Sequence, residues 1–179
     1  MAVLHRMPIL QPIGDLPSRF NASRGQARLV VILSPTYGTS LSGARIVKKD
    51  VLDNLLGEPL RTFVIWTPLR ADDTRDAAQQ ATQLLDTIEV EQFWDPNRSI
   101  ARQYGKVVDL PSNRTLAWNS YFVHGRADEW HDRPPVPASW MHQLGRDNRT
   151  LDGSTLLDLV TKEIKKPRPG TTTSKRRGG

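Results

Sequence analysis

Leu29-Val30-Val31-Ile32-Leu33-Ser34-Pro35-Thr36-Tyr37-Gly38-Thr39-Ser40 is the stretch whose reading decides the fold. The apolar run over 29–33 is short, continuous and followed by turn residues, which describes a buried strand. Pro35 and Gly38 make 34–39 a turn. Ser40 then stands at the head of a helix, where its hydroxyl would cap a free backbone N–H. Ala44, Val47, Val51, Leu52, Leu55 and Leu56 continue at helical spacing over 41–56, and Gly57 supplies the stop.

Outward from there, the run of β-formers over 62–67 suits a central strand. Asp72, Asp73 and Thr74 open a second helix through 85, with acidic residues placed for the helix dipole. Residues 90–94 make a third strand, Asp95-Pro96-Asn97 a turn, and 99–107 a helix carrying Ile100, Ala101, Tyr104 and Val107. The strand over 120–124 closes at Gly125, and Trp130 is expected to begin a fifth that Pro134-Pro135-Val136-Pro137 ends. Residues 138–144 read as a short helix, and Ser154 as the cap of a final one with Leu156, Leu157, Val160 and Ile164 on one face. Upstream, 1–17 read as an irregular lead-in and 18–26 as a short helix or turn capped by Ser18. Strands alternating with helices, then antiparallel-type strands, point to an α/β sandwich with a mixed sheet, without internal repeats.

At 179 residues the chain fits one domain that buries roughly 70% of its unfolded surface. The absence of cysteine excludes disulfides, thiolate metal ligands and cysteine nucleophiles. The longest apolar runs, 29–33 and 63–66, fall far short of the roughly 20 residues of a membrane span. Pro8, Pro12, Gly14 and Pro17 break up the first residues, so no secretory signal is expected and the chain reads as cytoplasmic. Of the 25 basic residues behind the net charge of +6, six are Lys165, Lys166, Arg168, Lys175, Arg176 and Arg177. Without them 19 bases face 19 acids, so the body is formally neutral. Residues 166–179 read as a disordered basic tail, a solubilising terminus capable of weak, salt-dependent contact with polyanions.

The order of several words along the chain carries a resemblance. Phe20-Asn21-Ala22, Arg28 through Thr36, Gly43-Ala44-Arg45, Val64-Ile65-Trp66-Thr67-Pro68-Leu69, Gln92-Phe93-Trp94-Asp95-Pro96-Asn97 and Trp140-Met141-His142-Gln143-Leu144 resemble bacterial thioredoxin-like proteins over residues 18–165. The resemblance implies a three-layer α/β sandwich whose central mixed sheet of four or five strands is flanked by helices. It puts the two cysteines of the C-x-x-C motif on Tyr37 and Ser40, which keep the two-residue gap. It also implies that the first cysteine attacks a disulfide as a thiolate and the second resolves the mixed disulfide. A phenol with a reference pKa near 10 cannot replace that thiolate, and Ser40 cannot form an S–S bond. A cis-proline is implied just before the facing strand, yet Leu116-Ala117-Trp118-Asn119 precedes Ser120 with no proline. Dithiol exchange is chemically impossible for this sequence.

Other constellations are weaker. Ser40 or Ser34 as a nucleophile, with His124, His131 or His142 as base, lacks the Gly-x-Ser-x-Gly frame; Ser40 is more simply a cap. A metal would need His124, His131, Asp132 and His142 to converge, and no tight His-x-x-x-His word exists. Phosphate-cradling glycine motifs are absent, and the helix start after Ser40 has only the generic anion affinity of such ends. Five tryptophans are many for this length. Trp66 and Trp94 belong to strands, while Trp118, Trp130 and Trp140 either line a cleft beside Tyr37 or cover the sheet edge.

The expectation is a thioredoxin-like domain without its redox pair, a non-catalytic binding or scaffold module. Tyr37, Gly38, Thr39 and Ser40 form a vestigial motif, and Trp118, Asn119 and Ser120 the groove beside it, for a protein or peptide partner. No metal, cofactor or membrane is expected. The alternative is a variant of a thiol-disulfide oxidoreductase whose cysteines have been lost or replaced.

Overall fold

A computed structural model describes residues 7–168 and Gly170. In chain order the strands and α-helices are Gln11–Pro12 (β1), Leu16–Ala22 (α1), Ala27–Leu33 (β2), Gly38–Ile46 (α2), Leu60–Trp66 (β3), Arg75–Ala81 (α3), Val90–Trp94 (β4), Ser99–Gly105 (α4), Ser120–His124 (β5), Ser139–His142 (β6) and Gly153–Lys165 (α5). The sheet has six strands in the order β1-β4-β3-β2-β5-β6. The first four in that order are mutually parallel, β5 is antiparallel to β2, and β6 is antiparallel to β5.

β2 is buried along its whole length, as a central strand covered on both faces must be. Its alternation splits the interior into two cores. Leu29, Val31 and Leu33 pack with Ala44, Val47, Ala78, Leu156 and Val160, under α2, α3 and α5. Val30 and Ile32 pack with Phe20, Ile100, Tyr104, Phe122 and Trp140, under α1 and α4. This is the expected three-layer sandwich.

Four details differ from the sequence reading. First, the sheet has six strands rather than four or five, because Gln11 and Pro12 in the supposedly irregular lead-in pair with Phe93 and Trp94. Second, residues 138–144 are not a helix. Ser139–His142 is strand β6, with Met141 opposite Tyr121 and Trp140 opposite Phe122. Cross-strand pairing there outweighs any local helical preference, and Trp130 lies in a loop instead of opening a strand. Third, the helix expected over 41–56 begins at Gly38 and passes through a π segment, Val47–Val51, and a 3-10 turn, Leu52–Asn54. That shift keeps Val47, Val51 and Leu52 all buried and brings Asp50 against the Gly153 backbone at the start of α5.

Fourth, the caps are other residues. Ser18 lies within α1 and donates to the Asp15 carbonyl at 2.9 Å. Asp152, not Ser154, caps α5 by accepting the Thr155 N–H at 2.8 Å. At α3 the cap is Thr74, one of the residues expected to open that helix, which accepts the Ala77 N–H. Most of the expected basic tail, 169 and 171–179, lies outside the described residues. No helix among the described residues is long and apolar enough to cross a membrane.

Candidate functional site

Because β2 and β5 are antiparallel with Ile32 opposite Ser120, the chain leaves β2 where it enters β5. The turn over 34–37 and the head of α2 therefore face the loop that ends at Asn119. The C-terminal end of a parallel strand, just before a helix, is where open α/β sheets generally build sites.

Asp73 organises the turn. Its carboxylate accepts the Ser34 hydroxyl at 2.9 and 3.0 Å, the Thr36 hydroxyl at 2.6 Å, and the Leu69 and Arg70 N–H groups at 2.7 and 2.9 Å. Ser34 Oγ in turn accepts from the Tyr37 N–H at 3.1 Å. Burial pushes the Asp73 carboxyl up, but the bonds from Thr36, Leu69, Arg70 and Ser34 outweigh it and hold the group below the usual carboxylate range. The sequence suggested a helix-dipole role for Asp73; it lies before α3 and ties the turn to the end of β3.

Ser40 does not cap α2. Tyr37 occupies the cap position without a side-chain bond, and Ser40 is buried in the first turn. Ser40 Oγ accepts the Ser34 N–H at 3.1 Å and donates to Asn119 Oδ1. Asn119 is itself buried, in a left-handed conformation with φ of 48°, which asparagine tolerates better than most residues. Its carbonyl accepts the Gln143 N–H at 2.8 Å, while Nδ2 is buried with no partner among the described residues.

Above this buried pair, Tyr37 and Trp118 meet edge to face, ring centroids 5.5 Å apart at 80°. Both are half-buried and Gly38 is exposed, so they form a partly open aromatic rim. Ser120 is buried, its hydroxyl on the Trp118 carbonyl at 3.0 Å. The structure thus brings Tyr37 to Trp118 and Ser40 to Asn119, and takes Ser120 off the accessible surface.

No family model matches the chain, and no curated protein matches it. Solved structures do. A hypothetical protein of Sinorhizobium meliloti 1021 matches with a TM-score of 0.54 at 16% identity, over 86% of this chain and 78% of that one. A thioredoxin-family thiol:disulfide interchange protein of Chlorobium tepidum matches with a TM-score of 0.51 at 10% identity, over 80% and 83%. A secreted Mycobacterium tuberculosis disulfide oxidoreductase matches with a TM-score of 0.51 at 12% identity, over 79% and 85%. The fold is thioredoxin-like. At these identities the likeness concerns the fold alone, and this thioredoxin-like chain contains no cysteine.

The other sequence-suggested groups do not assemble around this turn. His124 sits at the far end of β5, about 13 Å along the strand from Ser120. It is fully buried, with Nε2 at 2.8 Å from the Tyr104 hydroxyl and Nδ1 facing Asp128 at 3.4 Å. Burial holds its imidazole below the ordinary histidine value, against the pull of Asp128. His131 is exposed near Glu129. His142 accepts the Leu144 N–H on Nδ1, which leaves Nε2–H to donate to Asp147. No group of three His, Cys, Asp or Glu able to hold a metal occurs among the described residues. Neither Ser34 nor Ser40 has a histidine partner; Ser34 bonds Asp73 and Ser40 bonds Asn119.

Two parts of this thioredoxin-like frame escaped the sequence reading. Gly43 lies where a Cβ would overlap the Tyr121 hydroxyl and come 2.6 Å from Gln143 Oε1. A glycine inside a helix, costly for the helix itself, is the signal that such a close approach leaves. Arg28, fully buried, donates to the carbonyls of Gln26 and Arg126 at 3.2 Å, and to that of Asp128, with Cζ 4.4 Å above the Phe20 ring. Only a strand's inward alternation marked that position, and a charged residue there gave no hint of its partners. Of the tryptophans, Trp130 and Trp140 belong to the core and Trp118 to the rim.

Proposed function

We propose that this chain is a redox-inert binding module whose recognition surface is the rim formed by Tyr37 and Trp118. The observation that carries the reading is the division of labour at the head of α2. Ser40 is committed to the Ser34 N–H and to Asn119, leaving no activated nucleophile there, while two large aromatic rings stay partly open directly beside it. Tyrosine and tryptophan supply much contact area for little conformational entropy, and they dominate binding hot spots. The Asp73 cluster fixes the backbone beneath them, so little ordering is left to do on binding. The partner is an extended protein segment laid along the loop before β5.

The test is an amide-shift titration of the full chain with a panel of extended peptides, disulfide-containing ones included. Shifts gathered on 37–40 and 118–120, lost in Tyr37→Ala/Trp118→Ala, are expected. Shifts that bypass both segments overturn the reading.

A second reading has one observation in its favour, the two-residue gap of Tyr37-Gly38-Thr39-Ser40 at a helix head in this fold. In that reading the chain is a thiol-disulfide oxidoreductase whose cysteines have been replaced. Tyr37→Cys/Ser40→Cys would then reduce insulin disulfides; an inert double variant sinks it.

A further inference from the structure

Beside the rim, α4 and the residues that flank it carry three positive charges. Arg98 stands just before the helix in a left-handed conformation, Arg102 lies within it and Lys106 follows its last residue. Together with Gly105, Thr115 and Leu116 they line a cavity of about 310 Å³ that has no acidic side chain in its wall. Among the described residues none of the three joins an ion pair. Arg102 donates to the neutral Asn97 carbonyl. Like charges gathered around one cavity repel each other. The chain keeps three of them together without internal compensation, and a bound anion would relieve the repulsion.

The cavity and the rim share a loop. The Ala117 N–H donates to the Ala101 carbonyl of α4 at 3.0 Å. A Cβ on Gly105 would overlap the Thr115 carbonyl oxygen and come 2.8 Å from its carbon, so this glycine lets the loop lie on the helix end. Leu116, in the cavity wall, precedes Trp118 by two residues, at most about 7 Å of extended chain.

We propose that this cavity holds the carboxylates of the same peptide that the rim binds, which makes the partner an acidic segment with an apolar residue for Tyr37 and Trp118. The proposal rests on the rim reading above. The outer two cations flank the seven residues of α4, about 10 Å of helix, enough for two acidic side chains on alternate positions of an extended peptide. A polynucleotide fits less well. The body is formally neutral once the basic residues from Lys165 onward are set aside, so it lacks the broad positive field of nucleic-acid binders. Tyr37 and Trp118 are also locked edge to face on each other, not spread as successive platforms for bases.

The experiment is an amide-shift titration of the full chain with the capped peptide Glu-Glu-Leu-Glu-Glu, its Gln-Gln-Leu-Gln-Gln counterpart, and a thymidine oligonucleotide of equal charge. The acidic peptide is expected to move 98–106, 114–118 and 37–40 together, and to bind at least about tenfold more tightly than the neutral one. Arg102→Gln/Lys106→Gln, exposed changes that relieve the repulsion and should not lower the unfolding midpoint, removes that advantage. Equal binding of both peptides on the rim overturns the anion cavity and leaves the rim intact. Shifts on α4 without 37–40 and 118–120 overturn the rim reading and the joint site with it. Shifts confined to 171–179 assign the acidic peptide to the tail and overturn the proposal. Tighter, steeply salt-dependent binding of the oligonucleotide through α4 overturns the choice of a peptide.

Discussion

The Ser40 hydroxyl donates to the side-chain oxygen of Asn119, joining the head of α2 to the loop that enters β5. Both residues are buried, and the same hydroxyl accepts the Ser34 N–H. Ser40→Ala strands a buried donor and a buried acceptor at once, and the expected loss is about 1–3 kcal/mol in a urea titration. A serine-directed fluorophosphonate should leave the wild type unlabelled; labelling at Ser40 would contradict its structural commitment.

Asp73 links stability to acid. Its carboxyl is held below its ordinary value of 3.8 in the folded chain. That contribution is complete above the unfolded value and fades as pH falls below it toward the folded one. Asp73→Asn should cost about 1–3 kcal/mol at neutral pH, through weaker acceptance of four neighbouring donors. The variant should also lose less of its remaining stability than the wild type below about pH 4. Parallel acid titrations of the two proteins, followed by circular dichroism, decide it.

His124 shifts stability at milder pH. Burial lowers its value below the ordinary 6.5 in the folded chain. Above that value the imidazole is neutral in both states. As pH falls below it the unfolded chain takes up the proton first, so stability drops until the folded-state value is reached. The unfolding midpoint of the wild type should fall between about pH 7 and pH 5, and that of His124→Gln should be flatter over the same range. Equal slopes would mean that another group dominates.

Gly43→Ala introduces a methyl group where the Tyr121 hydroxyl lies against Gln143. Overpacking of a close contact in the core should cost about 1–3 kcal/mol, despite the better helix propensity of alanine. An unchanged or raised midpoint would show that Tyr121 gives way freely.

Where a segment's own pattern agreed with its place in the sheet, the sequence was legible. The strands over 90–94 and 120–124 have the bounds expected from their runs of β-formers. The thioredoxin-like frame and the placing of Tyr37 beside the Trp118 loop came instead from the resemblance carried by the order of words along the chain. Residues 139–142 were not, because Ser-Trp-Met-His has no strong alternation and becomes a strand only by pairing with β5. Ser40 looked like a cap because serine usually is one at a helix head; tertiary partners took its hydroxyl instead. Asp73, Arg28 and His124 are ordinary polar letters until the fold buries them against partners tens of residues away.

At the head of α2, where a dithiol would have two covalent states separated by two electrons, this chain has a hydrogen bond from Ser40 to Asn119 with only one. The geometry of that turn is therefore independent of the ambient potential. Glutathione, oxidised or reduced, has nothing there to exchange with, and a surface resting on this turn presents the same shape in a reducing or an oxidising compartment.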